Sequence, residues 1–369
     1  MSTTIRAAVC RAHGEPLTIE ELELAAPGPG EVRVRLQAVA ICHSDVSAVD
    51  GAWGGALPIV YGHEAAGVVV EVGPGVALDV GQSVVVTLIR ACGECRRCMR
   101  GEFVACTTTF PLDERSPLTT RGGQTIVHGL RTAAFAEQVV VHESQVVAID
   151  DLIDPKAASL LACGVITGVG AVVNTAAVEP GSTVVVIGCG GVGLNVVQGA
   201  RLAGAGAIVA VDVQPAKLDL ARRLGATHVA VAGADDVASV VREVSEGLMA
   251  DYVFVATGSP SALSGALALV GSMGALVVVG MPPDGVTGNY DPGWLAGLNQ
   301  RILGSKMGTS VIARDVPALL ARYRAGELEL DSLISRTFTL DQINEAMDEV
   351  RSGSALRNVI VFDDAWSGM

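Results

Sequence analysis

The sequence predicts an α/β protein in two parts, a β-rich N-terminal half followed by a doubly wound parallel sheet. Three observations carry this. The 369 residues correspond to about two domains. Before residue 150 the apolar runs are short and cut by turn signals such as PGPG at 27–30 and GPG at 73–75. From Pro155 onward short apolar runs alternate with helix-length segments, as in strands joined by crossover helices.

In chain order, runs at 31–41 (EVRVRLQAVAI), 65–72, 83–89 and 135–149 read as strands, and no long helix is expected among them. In the second half, TVVVI at 183–187 and AIVAVD at 207–212 read as strands, with helical segments at 191–203 and 215–224. Then come HVAV at 228–231, a polar-patterned stretch at 236–249, a strand at 252–256, a helix near 260–270 and a strand at 275–280. Beyond residue 307 the pattern is irregular, with helices at 314–325 and 341–351 and a last strand at 357–363.

Composition excludes several functions. Half the residues are hydrophobic and 17% are charged, which rules out general disorder. The formal charge of −14 is a poor match for nucleic acid or an anionic membrane. The N-terminus lacks the apolar core of a signal peptide, and a cytoplasmic location is expected. Uncharged stretches at 157–178, 180–200 and 252–283 are broken by Gly, Ser, Thr, Asn, Gln or Pro, so they read as buried strands and helices rather than membrane spans.

Residues 188–193, GCGGVG, follow a β-branched run and precede a helix. Gly188 suits the tight turn, Gly190 the close approach of a pyrophosphate, and Gly193 tight helix–sheet packing; the helix expected from Gly191 offers its free N–H groups to the phosphates. Asp212 ends the next strand, where a carboxylate accepts hydrogen bonds from the adenosine ribose and repels a 2′-phosphate. The expected ligand is a dinucleotide, NAD rather than NADP.

Four of the eight cysteines, Cys92, Cys95, Cys98 and Cys106, lie within fifteen residues. Four thiolates complete a closed tetrahedral zinc site that is coordinatively full and therefore structural. Arg96, Arg97 and Arg100 are expected to offset its negative charge. Cys42 in CHSD, His63 and Glu64 in GHE, and Cys163 in LLACG are candidates for a second, open site. Spacing alone does not bring these distant segments together, and buried cysteine and histidine are also ordinary core residues.

Taken together, these residues resemble the zinc-dependent medium-chain alcohol dehydrogenases across essentially the whole chain. GHEAAGVVVEVG at 62–73, the four-cysteine loop, the glycine loop with Asp212, and LRNVIVF at 356–362 occur in the family's order. The segment between Cys106 and Phe135, with GGQTIVHGLRTAAFAEQVVV, resembles the longer-loop, dimeric branch. The resemblance implies a GroES-like β-barrel catalytic domain at 1–164, a Rossmann domain at 165–307 and a C-terminal return to the catalytic domain at 308–369, with the active site in the cleft between them. It implies Cys42, His63 and Cys163 as catalytic zinc ligands, Asp45 orienting His63, Glu64 assisting ligand exchange and Ser44 taking the alcohol proton. It further implies His43 and Arg357 at the NAD pyrophosphate, Lys217 with Asp212 on the adenosine side, and Thr167 with Val192 at the nicotinamide.

The same resemblance implies two zinc ions and one NAD per subunit, with hydride passing from a zinc-activated alcohol to NAD. It places Trp53, Leu88, Phe135 and Met281 along the substrate channel. Their apolar character favours a primary aliphatic or aryl alcohol and its aldehyde over a polyol. Two departures stand out. Ser47 occupies the position of the family's solvent-side relay histidine. Trp53 and Phe110 occupy those of the acid and arginine in the thiol-adduct formaldehyde dehydrogenases, which remain the alternative reading. A homodimer is expected, with a tetramer second, because the apolar strand at 275–280 is taken as the exposed end of its sheet.

Overall fold

Short apolar runs punctuated by glycine turns form β structure throughout the first half. The computed structural model describes residues 2–362, and the chain divides into two units. The first runs up to Cys163 and takes in Val311–Tyr323 and the chain from Leu330 onward; the second comprises Gly164–Ser310 and Arg324–Glu329.

The first unit opens with β1 (Thr3–Cys10), β2 (Thr18–Leu24), β3 (Glu31–Ala40), β4 (Ile59–Val60), β5 (Glu64–Val72) and β6 (Ser83–Val86). These are followed by β7 (Leu118–Thr120), β8 (Thr125–His128), β9 (Gln138–His142) and β10 (Val146–Ala148). Strands β1, β2, β7, β8 and β4 close into a small barrel, which leaves no free edge among them. Leu22, Leu24, Leu118, Ile126 and Phe135 are fully buried in the core of this unit. The strands β1 and β2 escape sequence reading because charged residues interrupt TTIRAAVC and TIEELEL.

The helical run Pro155–Ala176 falls in the uncharged stretch that the sequence reads only as buried strands and helices, with no helix bounds. Asp154 caps it by accepting the Lys156 N–H at 2.9 Å, and Pro155 occupies the first turn. Its many Val, Ile and Gly residues imitate a strand. The run is long and apolar enough to cross a membrane, yet 89% of its apolar window is buried inside the protein. Two π-helical turns, Leu161–Val165 and Ala171–Ala176, interrupt it. Such turns are common at functional sites.

The second unit contains β11 (Thr183–Ile187), β12 (Ala207–Asp212), β13 (His228–Val231), β14 (Ala250–Val255), β15 (Val270–Val278) and β16 (Arg301–Gly304). They form a parallel sheet in the order β13-β12-β11-β14-β15-β16. The order reverses between β11 and β14, the switch point where ligands of such sheets bind. Helices Gly191–Leu202 and Pro215–Leu224 match the expected segments, and the polar stretch at 236–249 contains the helix Val237–Val244. One expectation is corrected here. The strand predicted at 275–280 is not the edge, because β16 pairs outside it with Ala275 opposite Arg301. Arg301–Gly304 is four residues long, mostly exposed and has no β-branched run, so it carries little strand signal.

The chain then adds β17 (Ile334–Phe338) and β18 (Arg357–Val361) to the first unit. They extend a sheet ordered β10-β6-β5-β3-β18-β17, with β9 also beside β3. The helices Ile312–Arg324 and Ile343–Arg351 lie close to the predicted segments.

Candidate metal centres and dinucleotide site

Strand register assembles the open cluster. In the antiparallel pair β3/β5, Ala40 faces Glu64; in β3/β18, Ala40 faces Val359. Cys42 lies two residues past Ala40, His63 immediately precedes Glu64, and Arg357 starts β18 two residues before Val359. All three therefore sit at the same end of three adjacent strands. Cys163 joins them from the π-helical turn Leu161–Val165. One ligand atom from each of Cys42, His63, Glu64 and Cys163 lies within 4.8 Å of every other, and all four residues are buried.

Asp45 organises this set. It sits in the first turn of the short helix His43–Val49. It accepts the N–H of Cys42 at 3.0 Å, the N–H of Gly62 at 3.1 Å, and Nδ1–H of His63 at 2.9 Å. An ionised carboxylate only accepts, so Nδ1 of His63 carries the proton and Nε2 is left as a donor atom for a metal. Gly62 adopts φ +94°, and a Cβ there would lie 2.6 Å from the Phe135 nitrogen, so only glycine fits at this corner.

The electrostatics call for a cation. The Cys42 thiol is held well below its ordinary range, first by the hydrogen bond from Cys163 and then by the charges of Arg357 and His63. Burial opposes a charged His63, but Asp45 outweighs it and raises the imidazole well above its usual value. Burial also pushes Glu64 up to about 8, against the pull of Arg357. Neither Glu64 carboxylate oxygen has a hydrogen-bond partner. A buried set with one thiol held ionised and protons retained on His63 and Glu64 suits a metal ion, whose charge replaces those protons.

The resemblance implies Arg357 at the NAD pyrophosphate. The residue is 4% exposed, with its guanidinium 3.5 Å from Glu64 and 3.3 Å from the Ile41 carbonyl. The β3/β18 register adds the Glu64 contact, which the sequence did not suggest. His43 is exposed, while Ser44 is half-buried with Oγ 3.4 Å from Cys42 Sγ. Ser47, also half-buried, follows Ser44 by three residues and shares its helix face.

The four-cysteine loop forms the second cluster. Sγ–Sγ separations are 3.9 Å for Cys92–Cys98, 3.9 Å for Cys95–Cys106 and 3.7 Å for Cys106–Cys92. Four sulfurs around zinc at its usual bond length lie about 3.8 Å apart, whereas a disulfide needs about 2 Å. The cluster thus fits a tetrahedral ion. Arg97 and Arg100 pair with Glu102, at 2.7 Å and 3.2 Å, and Arg97 also feels the charge of Cys95. Backbone N–H groups, that of Cys98 foremost, hold the Cys95 thiol down to about 5. Thr108 adds a hydroxyl to Cys92 Sγ at 3.0 Å, a contact the spacing did not suggest.

In the second unit Gly188 has φ +93°, and a Cβ on Gly193 would sit 1.7 Å from the Gly188 carbonyl oxygen. A Cβ on Gly190 would meet nothing, so the loop leaves a backbone-lined cradle where the helix from Gly191 begins. Asp212 closes β12, its carboxylate accepting the Cys189 N–H at 2.7 Å and the Gln214 N–H at 2.8 Å. The charge of Lys217 is felt at the buried Cys189 thiol beside it. Thr167 begins a stretch packed on this loop: a Cβ on the neighbouring Gly168 would lie 2.5 Å from the Val192 carbonyl oxygen.

Of the expected channel residues, Trp53, Leu88 and Phe135 belong to the first unit and Met281 to the second. Trp53 packs partly buried against the core of the first unit, and Leu88 is half-buried. Met281 is 62% exposed on the second unit. Phe135 is fully buried. Phe110 is also core, edge-on to His142 at 4.7 Å and 5.6 Å from the buried Arg90.

Residues 28–151 match the model of the alcohol dehydrogenase GroES-like domain, and residues 191–324 that of the zinc-binding dehydrogenase domain. The NDMA-dependent alcohol dehydrogenase of Amycolatopsis methanolica is 36% identical over 96% of this chain and 98% of its own length. The chain belongs to the zinc-dependent medium-chain alcohol dehydrogenase family. A zinc-binding-domain alcohol dehydrogenase from Burkholderia ambifaria superposes with a TM-score of 0.93 at 35% identity, covering 99% of this chain and 100% of that one. The benzyl alcohol dehydrogenase of Acinetobacter calcoaceticus gives 0.90 at 30% identity, covering 98% and 99%. The family makes this chain an alcohol dehydrogenase, an oxidoreductase built from a GroES-like unit and a Rossmann-like unit.

Proposed function

We propose that the chain is an NAD-linked, zinc-dependent alcohol dehydrogenase interconverting an apolar primary alcohol, aliphatic or aryl, and its aldehyde. The observation that carries this reading is the buried Cys42/His63/Cys163 set, with a Glu64 carboxylate that accepts no hydrogen bond and the Ser44 hydroxyl at its rim. Cys42, His63 and Cys163 would hold a catalytic zinc, and Cys92, Cys95, Cys98 and Cys106 a structural one. The loop 188–193 with Asp212 would hold NAD. When bound, zinc supplies Lewis acidity toward the alcohol and NAD accepts the hydride.

The chain's own residues do the rest. Asp45 fixes the His63 ring, so that only Nε2 faces the cluster. Ser44 receives the alcohol proton at Oγ and passes it outward along the helix face shared with Ser47. Ser47 has no useful base pKa, so water must finish the relay. Arg357 balances Glu64 inside the sheet end. The N–H groups at the start of the helix from Gly191 bind the pyrophosphate. Asp212 orients the adenosine ribose and repels a 2′-phosphate.

The benzyl alcohol dehydrogenase relative supports an aryl substrate, and the longer-loop branch remains the nearest subgroup by resemblance. The thiol-adduct reading is disfavoured by Trp53 and Phe110, which bring no charge for a charged adduct. A homodimer is the proposed assembly, with a tetramer second; the exposed edge is β16, flanked by exposed Ile302, Met273 and Trp294.

The test is a panel of benzyl alcohol, alkyl alcohols and a hydroxymethyl-thiol adduct, each with NAD+, NADP+ and, after the Amycolatopsis relative's name, NDMA as added acceptor. Benzyl or alkyl oxidation with NAD+ preferred is the expected result; oxidation of the thiol adduct alone overturns it. Asp212→Ser should narrow the preference for NAD+ over NADP+ by about tenfold or more, the scale of a lost charge-assisted hydrogen bond plus relieved repulsion. An unaltered enzyme that used NADP+ equally well would contradict the role of Asp212.

A further inference from the structure

Three consecutive residues after β16 adopt left-handed backbone: Met307 at φ +49°, Gly308 at φ +62° and Thr309 at φ +50°. For a β-branched threonine this conformation is a strong outlier, and such strain persists only where surrounding groups impose it. Here they do. Thr175 Oγ1 lies 2.8 Å from Ser305 Oγ and 2.8 Å from Thr309 Oγ1. One hydroxyl donates once and accepts twice, so Thr175 can bridge both ends of the strained turn. Asn174 donates to the Gly308 carbonyl at 3.3 Å, and Ser310 Oγ donates to the Ile166 carbonyl at 3.2 Å. Backbones are in close contact as well: a Cβ on Gly170 would lie 2.6 Å from the Gly308 oxygen.

Topology says what this strained turn faces. The glycine loop follows β11, and Asp212 ends β12, on one side of the switch point. A dinucleotide whose adenosine lies over the β12 side extends its other end over the β14–β16 side, at the carboxyl ends of the strands. The turn leaves the carboxyl end of β16, with the Ser305 N–H bonded to the Val278 carbonyl at 2.9 Å where β15 ends. The same helical run holds both halves, meeting the phosphate loop through Gly168 and the strained turn through Gly170. Thr167, expected at the nicotinamide, immediately precedes these two contacts and points its hydroxyl to Met307 Sδ at 3.7 Å.

We infer that Thr175 is a positioning residue for the nicotinamide end of the dinucleotide, acting by holding the Met307–Thr309 turn in its strained conformation. The inference rests on the dinucleotide reading above. The two are separated by comparing NAD+ with ADP-ribose, which keeps the adenosine and pyrophosphate and lacks the nicotinamide. Calorimetric titration of the full-length, zinc-loaded protein supplies both affinities. In Thr175→Val, NAD+ affinity should fall about tenfold, the scale of losing a bridging hydroxyl, while ADP-ribose affinity stays within about twofold. Thr175→Ser should restore NAD+ affinity. Parallel loss of both ligands, or no change in either, overturns the positioning role. Failure of the unaltered protein to bind ADP-ribose overturns the dinucleotide reading and the inference with it. Should Thr175→Val not fold, Ser305→Ala decides by the same comparison, with selective loss of NAD+ expected and unchanged or parallel affinities contradicting it.

Discussion

Replacing Cys42 by Ala should lower the zinc content from two ions per chain to one and reduce turnover on the order of 10³-fold. Among the described residues, two clusters of four ligand-type residues stand in the chain, and only one of these contains Cys42. The loss of turnover follows because Lewis-acid stabilisation of developing charge is worth several kcal/mol. The remaining ion belongs to the four-cysteine loop, whose thiolates are held by their own backbone amides and Thr108 rather than by anything near Cys42. The loop should therefore keep its metal and the variant its fold. Elemental analysis of protein purified without added metal, paired with a thermal melt, reads both quantities. An unaltered protein holding one zinc at full activity would contradict the assignment. So would a Cys42→Ala variant that keeps two ions.

The second large effect is expected at Ser44. Its hydroxyl is half-buried beside the cluster, 3.4 Å from Cys42 Sγ, on a helix fixed by Asp45. Ser44→Ala removes the group that receives the alcohol proton, and turnover should fall roughly 10²-fold, the scale of positioned proton transfer. Affinity for NAD+ should change little, since the glycine loop and Asp212 belong to the other unit. The rate must be read where a deuterated alcohol slows the reaction, so that chemistry and not NADH release is being observed. Near-normal turnover of Ser44→Ala under that condition would sink the relay.

How much of this was legible in the sequence depended on whether the information was local. The glycine loop is a local motif, and its strand, turn and helix fall where GCGGVG and the following acid place them. The four-cysteine loop is local too, with its ligands inside one short segment. Cys42, His63 and Cys163 come from three distant segments, and only the family resemblance suggested that they meet; the pairing of β3 with β5 is the physical reason that Cys42 and His63 do. Arg357 shows the limit. LRNVIVF identified the strand, but its register against β3 decides that the guanidinium is buried beside Glu64. The edge strand β16 was missed because an exposed strand of four residues needs no apolar alternation. The strained turn at Met307–Thr309 left no sequence signal either, since Met and Thr are not residues that announce a left-handed backbone.

The central claim is direct transfer of hydride from an alcohol carbon to a nicotinamide held by this chain. It is tested by oxidising benzyl alcohol doubly deuterated at the reacting carbon with NAD+ and examining the NADH formed by mass spectrometry and NMR. The account predicts one deuterium at C4 of the nicotinamide, on one face only, with the aldehyde retaining the other. NADH without deuterium, deuterium on both faces, or alcohol oxidation that leaves NAD+ unreduced would contradict it.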